Sequence, residues 1–190
     1  MNNSSIGKQK YKNSDLAVIA LYQLGGASRY IHLEDVALKA AELSPKAFSW
    51  KKYPEHPNLE AVRLALKNEL EAKRRRVFGS IRDGWMLTPE GLSWCLAGSS
   101  ITMNQSAVDQ IHKEIARAKK TDAFAKIAAN KQEETSDNEL RVVLRIDEYF
   151  SPRNRRERAM ALANAAVIDP QLRPILITLK QRGFIDLEVG

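Results

Sequence analysis

Apolar residues fall along this chain in short blocks separated by polar turns, and the block that begins at Leu59 shows the clearest period. Leu59, Val62, Leu66 and Leu70 share one face of a repeat of about 3.6 residues, with Arg63, Lys67 and Arg74 on the other. The spacing predicts an amphipathic helix with a core side and a basic, exposed side, and Asn58 stands at its start. A basic run, Lys73 to Arg76, follows. Val77 and Phe78 then open a strand-like stretch, Arg82-Asp83-Gly84 turns the chain and Trp85-Met86-Leu87 returns, which predicts a β-hairpin with arginines at its base and tip. Thr88 offers an N-cap hydroxyl, Pro89 suits a first helical position, and Leu92, Trp94, Cys95 and Leu96 supply apolar surface until Gly98 stops the helix.

The same reading organises the remainder of the chain. Residues 1–13 are polar, with Lys8, Lys10 and Lys12, and read as a disordered arm, either unconstrained or touching a phosphate backbone. Leu16, Val18, Ile19, Leu21, Tyr22 and Leu24 predict a buried first helix ended by Gly25-Gly26. Ser28 to Ile31 reads as a short strand; Leu33, Val36, Ala37, Ala40 and Leu43 then predict a second helix, with Glu34 and Asp35 in its first turn and Ser44-Pro45 at its close. Between the second helix and the Asn58 helix, Phe48, Trp50 and Tyr53 surround Lys51 and Lys52. Two readings stand: the rings anchor a long loop on the core, or the lysines meet phosphates while the rings pack on sugars or bases.

Ser99 to Gln105 is small and polar, a hinge pattern. Val108, Ile111, Ile115 and Ala118 then form a narrow stripe, which suits a homodimer helix or a helix packed back on its own domain equally. After the hydrophilic break from Lys131 to Asn138, three short helices are expected: one with Leu140, Val143, Leu144 and Tyr149, one opened by Ser151-Pro152, and one opened by Asp169-Pro170. Pro174 fits only in the first turn of the last helix or at a kink, and Phe184, Ile185, Leu187 and Val189 read as a closing strand after Gly183.

Composition narrows the function. The apolar fraction of 44% and charged fraction of 28% are those of an ordinary soluble protein. No apolar run approaches the roughly 20 residues that span a bilayer, and no signal-peptide core opens the chain. A cytoplasmic protein with no membrane association is the expectation. One cysteine, Cys95, excludes an internal disulfide and a multi-cysteine zinc site, and its apolar neighbours make it a buried small hydrophobe. His32, His56 and His112 stand far apart, and Leu24-Gly25-Gly26-Ala27 lacks the lysine and spacing of a phosphate loop. No enzymatic activity and no cofactor are therefore expected; only scattered acids such as Asp83, Asp147 and Glu148, assembled by folding, would supply a nuclease-like metal site. The net charge of +7 and pI near 9.5 suit a nucleic-acid partner, and the charge clusters at Lys73–Arg76 and at Arg153–Arg158, the latter diluted by Glu157.

The order of elements, with the string Trp85-Met86-Leu87-Thr88-Pro89-Glu90-Gly91, resembles the winged helix-turn-helix family of DNA-binding proteins. Leu87, Thr88 and Gly91 match the Leu-Thr-x-x-Gly step by which that family leaves its wing. The resemblance covers residues 14–98 and implies that the helix after Leu33 positions and the Asn58 helix recognises. The chain departs from the family pattern in its connection between those helices, which runs through Phe48 to Pro57 where about three or four residues are usual.

The expected fold is therefore mainly α: a winged-helix domain with a short β-hairpin wing at 14–98, a linking helix at 106–130, and a helical oligomerisation or partner-docking module at 139–190. The expected function is double-stranded DNA binding, as a transcriptional regulator or the DNA-engaging subunit of a larger complex. Asn58 and Arg63 would face the groove; Lys51, Lys52, Lys67, Arg74, Arg75 and Arg76 would meet phosphates, and Arg82 would reach the backbone or minor groove. A homodimer or a partner subunit would form through the helices after residue 106. The rival is a protein-interaction adaptor that uses the same scaffold without DNA, with the stripes at Val108–Ala118 and Leu172–Leu179 as docking faces. Surface charge separates the two. Neutralisation of the basic residues by Glu60, Glu69, Glu71 and Asp83 favours the adaptor; a continuous positive face favours DNA.

Overall fold

The first helix, α1 (Asn13–Gln23), opens where Asp15 accepts a hydrogen bond from the Lys12 amide at 2.9 Å and ends where Gly25 takes φ +84°. The computed structural model describes residues 11–98 and 103–186. After α1 come α2 (Leu33–Leu43), a single turn α3 (Pro45–Phe48), α4 (Leu59–Glu71), the antiparallel strands β1 (Val77–Ser80) and β2 (Gly84–Leu87), and α5 (Pro89–Ala97). The second half is helical: α6 (Gln105–Lys119), α7 (Asp122–Ala128), α8 (Asp137–Leu144), α9 (Pro152–Ile168) and α10 (Arg173–Gln181). The protein is thus mainly α with one two-stranded hairpin among the described residues.

Helix starts follow the side chains that can satisfy free amides. Asn58, Thr88, Asn104, Thr121, Ser136 and Ser151 each accept a hydrogen bond from an amide in the first turn of the helix they open. Pro174 lies in the first turn of α10, where its missing N–H costs no helical bond. Gly91 is required for a different reason. A Cβ there would run into the carbonyl of Arg76, so α5 can approach the base of the hairpin only with glycine at that place.

Several expectations change. Ser28 to Ile31 is not a strand; Ile31 alone exchanges both backbone hydrogen bonds with Trp85, at 2.9 Å each, a third strand reduced to one residue. Residues 106–130 do not form a single linking helix, because Lys120 and Thr121 break the segment and Thr121 caps α7. Tyr149 lies beyond the end of α8 and is almost fully exposed. Phe184 and Ile185 are not in a strand, while Leu187 and Val189 lie outside the described residues. The polar arm up to residue 10 and most of the Ser99–Gln105 hinge also lie outside them.

The main hydrophobic core runs from Ala17 to Ile185, beside a smaller cluster of Tyr30, Met86, Met160 and Ala161, and includes residues of both halves of the chain. Helix α9 joins them. Every residue from Ala159 to Ala166 is buried, because α9 is flanked by α5 and the hairpin on one side and by α6, α8 and α10 on others. Asn164, wholly buried, donates from Nδ2 to the carbonyls of Ala27 at 2.8 Å and Leu87 at 2.9 Å, which fixes α9 against the first half. Ile111, Ile115 and Ala118 on α6 are buried within the chain, where α6 packs on α9, and Leu172, Ile175, Leu176 and Leu179 are buried as well. Fully burying an Ile or Leu contributes about 1.5–3 kcal/mol. Ile111, Ile115 and Ala118 of the first stripe and Leu172, Ile175, Leu176 and Leu179 of the second are thus covered within the molecule, while Val108 is half-buried and Ile177 beside the second stripe is exposed.

Candidate nucleic-acid interface

Helix α4 buries Val62, Ala65, Leu66 and Glu69, and turns Glu60, Lys67, Asn68 and Glu71 outward beside a half-buried Arg63. Its basic residues are largely neutralised. Arg63 holds Glu60 through both Nε, at 2.6 Å, and Nη2, an i−3 pair along one helix face. The hydrogen bond from Arg63 keeps the Glu60 carboxyl below the usual carboxylate range, and Glu60 raises Arg63 in turn. Lys67 lies 3.6 Å from Glu71. Asn58 does not reach outward as a groove-reading side chain: its Oδ1 accepts from the Ala61 amide at 3.1 Å and caps α4. Leu64 lies on the exposed side at 45% accessible, and Leu59, expected on the core face, is 44% accessible at the start of the helix.

Arg76 is turned inward, contrary to the expected phosphate contact. Its guanidinium holds Glu69 at 2.6 Å and Asp15 at 2.8 Å, and lies 4.3 Å from the centre of the Trp94 ring. Burial would lower its pKa, but the hydrogen bonds that Arg76 donates to Glu69 and Asp15 outweigh burial and raise it. This network ties α1, α4 and α5 together. A charge committed to two partly buried carboxylates is not available to a phosphate.

Lys73, Arg74 and Arg75 differ from it. All three are exposed, and none has a carboxylate partner among the described residues. Their backbone is nonetheless held in place. The Thr88 hydroxyl donates to the Arg75 carbonyl at 2.6 Å while accepting from the Gly91 amide at 3.1 Å, and the Thr88 amide donates to the Arg76 carbonyl at 3.1 Å. The Leu87-Thr88-x-x-Gly91 step therefore clamps the basic linker to the start of α5.

At the far end of the hairpin Arg82 is exposed and also lacks a carboxylate partner among the described residues. Its turn is fixed from two sides. The Asp83 amide donates to Ser80 Oγ at 3.0 Å, and Arg153 of α9 donates to the Asp83 carbonyl at 2.7 Å while its guanidinium lies 4.8 Å from the centre of the Tyr30 ring.

The loop before α4 divides its aromatics between both readings of them. Phe48 is wholly buried, whereas Trp50 and Tyr53 are 56% and 50% exposed. Backbone bonds from Trp50 to His56 at 3.0 Å and from Asn58 to Phe48 at 2.7 Å close the loop over that anchor. Lys51 and Lys52 project beside the exposed rings, Lys52 with its Nζ 5.6 Å from the centre of Tyr53.

The second basic cluster serves the fold instead. Arg153 holds the hairpin turn, Arg155 donates to the carbonyls of Asp147, Glu148 and Phe150, and Glu157 accepts from the Tyr30 amide at 3.1 Å. Asp83, one of the scattered acids, is held by Ser80 and Arg153, and no three His, Cys, Asp or Glu among the described residues lie together so as to hold a metal ion. Cys95 is buried and free, its thiol pushed up to about 12 by burial, with Arg76 opposing the shift. None of the described helices is long and apolar enough to cross a membrane. Sequence reading missed Lys180, which folding brings close to Lys73, Arg74 and Arg75; lying far along the chain on α10, it has no local signal that would have linked it to them.

No family model matches the chain, and no curated protein or solved structure was found to match it.

Proposed function

We propose that the chain binds double-stranded DNA as a winged helix whose phosphate contacts come from the flanks of its recognition helix, α4. The observation that carries the reading is the set of exposed cations around α4 without carboxylate partners among the described residues: Lys51 and Lys52 before it, Lys73, Arg74 and Arg75 after it, and Arg82 at the hairpin tip. Trp50 and Tyr53 add rings that can pack on sugars. Because Arg63 and Lys67 are paired within α4, affinity arises chiefly from the backbone and discrimination between sequences is modest. Such a module suits the DNA-engaging subunit of a larger complex at least as well as an operator-reading regulator.

Fluorescence anisotropy on mixed-sequence duplex at several salt concentrations tests this. Binding should weaken with salt. A Lys73/Arg74/Arg75 to Ala variant should flatten the log–log salt slope by about three units and Arg82→Ala by about one, the count of phosphates released. Arg63→Ala should leave the slope unchanged. Absence of binding at low salt overturns the reading and favours the adaptor, which the pairing of Arg63, Lys67 and Arg76 with Glu60, Glu71 and Glu69 and the half-exposed Leu64 on α4 support.

A further inference from the structure

A concave cleft of about 900 Å³ opens between the base of the hairpin and the C-terminal helices. Lys73, Arg74, Arg75 and Lys180 of α10 line it, and the half-buried Phe78 contributes apolar surface over the buried Met160. The start of α5 also lines it, so the positive end of that helix dipole adds to the four cations. Two carboxylates, Glu90 and Asp186, border the same space, and neither they nor the four cations have an ion-pair partner among the described residues. A smaller hollow of about 360 Å³ shares Phe78 and Asp186 with the cleft and adds the exposed Arg156.

We propose that this cleft binds a nucleotide. Its size falls within the range of small-molecule sites, roughly 300–1,000 Å³, whereas a duplex is too broad to enter a recess of that volume. Four uncommitted cations answer a phosphate chain. Carboxylates next to so much positive charge would be unfavourable for a simple polyanion, but Glu90 and Asp186 can accept hydrogen bonds from ribose hydroxyls or an exocyclic amino group. The half-buried Phe78 provides the apolar surface on which a base can rest. Phosphates, hydroxyl donors and a flat apolar ring occur together in a nucleotide. The ligand would bridge the hairpin base and α10, and would draw on the same Lys73 to Arg75 that the DNA reading uses.

Isothermal titration of the full chain, without DNA, with ATP, pyrophosphate and adenosine decides the matter. ATP should bind most tightly, pyrophosphate more weakly and adenosine least. Lys180→Glu, at an exposed position, should weaken ATP about tenfold, as loss of one charge-assisted contact implies, while the thermal unfolding temperature of the free protein stays as it was. Asp186→Asn, which removes a like charge, should tighten pyrophosphate, and should tighten ATP less or weaken it, because an acceptor for the sugar or base is lost as well. Failure of ATP to bind at low ionic strength, or equal ATP affinity in the Lys180→Glu variant, overturns the proposal. Pyrophosphate binding as tightly as ATP overturns the nucleotide assignment. Because DNA is absent from the titration, each of these outcomes is separate from the fate of the DNA reading.

Discussion

Arg63 and Arg75 look alike in the sequence, each a basic residue in a polar stretch beside the same hydrophobic period, and the folded chain uses them differently. Arg63 lies on a regular helix, where residue i−3 is a neighbour on the same face, and that neighbour is Glu60. Arg75 lies in a linker after α4 has ended, so helical spacing no longer brings Glu69 or Glu71 beside it, and Thr88 fixes its carbonyl against α5. The lesson is that α4 pairs its own charges, while the cations in its irregular flanks stay free for a partner. Arg76, one residue further on, is a third case: it is drawn into the core side by Glu69 and Asp15.

The sharpest way to break this comparison is to remove Arg76 and Arg74 separately. Arg76→Ala leaves Glu69 and Asp15 partly buried beside Trp94 without their cation, and breaking a buried pair in this way costs about 3–5 kcal/mol. Arg74→Ala, at an exposed unpaired position, should change stability by less than about 0.5 kcal/mol. Urea unfolding of both variants checks the difference. Equal losses would mean that the run from Lys73 to Arg76 acts as one unit.

The contrast also marks what was legible in the sequence. The α4 period, the hairpin turn at Arg82 to Gly84, the Thr88 cap and the buried Cys95 could all be read, because each depends on neighbours close in the chain. The inward turn of Arg76 could not, since Asp15 lies far away in sequence and Trp94 comes from α5. Nor could the fate of the α6 stripe. Its narrow spacing is the same whether the covering helix belongs to another subunit or, as found, is α9 of the same chain. The Arg153 to Arg158 run misled in part for a related reason: α9 is hemmed in on several sides, so Arg153 and Arg155 meet the Asp83, Asp147, Glu148 and Phe150 carbonyls, while Arg156 stays exposed. Of the aromatics in the loop before α4, Phe48 followed the anchoring pattern, but nothing local distinguished it from the exposed Trp50 and Tyr53.

A smaller effect sharpens the role of the clamp. Thr88→Val removes both the cap on the Gly91 amide and the hydrogen bond to the Arg75 carbonyl. Loss of an N-cap costs about 1 kcal/mol, within a range of 0.5–2 kcal/mol. If the clamp also orders the basic linker, duplex affinity should fall at every salt concentration while the salt slope stays constant, because no phosphate-contacting charge has been removed. Thr88→Ser should restore both. A stability loss without a change in affinity would separate the cap from the interface.

The smallest expected effect concerns Glu60, and it tests whether pairing alone keeps Arg63 from DNA. The carboxyl of Glu60 titrates below its ordinary range because Arg63 donates to it, so it gives up its proton more readily in the folded chain than in the unfolded one. Its pairing therefore contributes stability that is fully present above the unfolded carboxylate value and disappears as pH falls through the lowered folded value. In Glu60→Gln that acid-side component of the pH–stability profile should vanish, while the unfolding midpoint near neutrality moves little, since the pair is exposed. Arg63 would then be the one released cation on α4. If its position faces the duplex, the salt slope should steepen by about one unit, and Arg63→Ala in the same background should reverse it. A slope that stays the same in Glu60→Gln would place the exposed side of α4 away from the phosphates, leaving Leu64 on that side to face a protein instead.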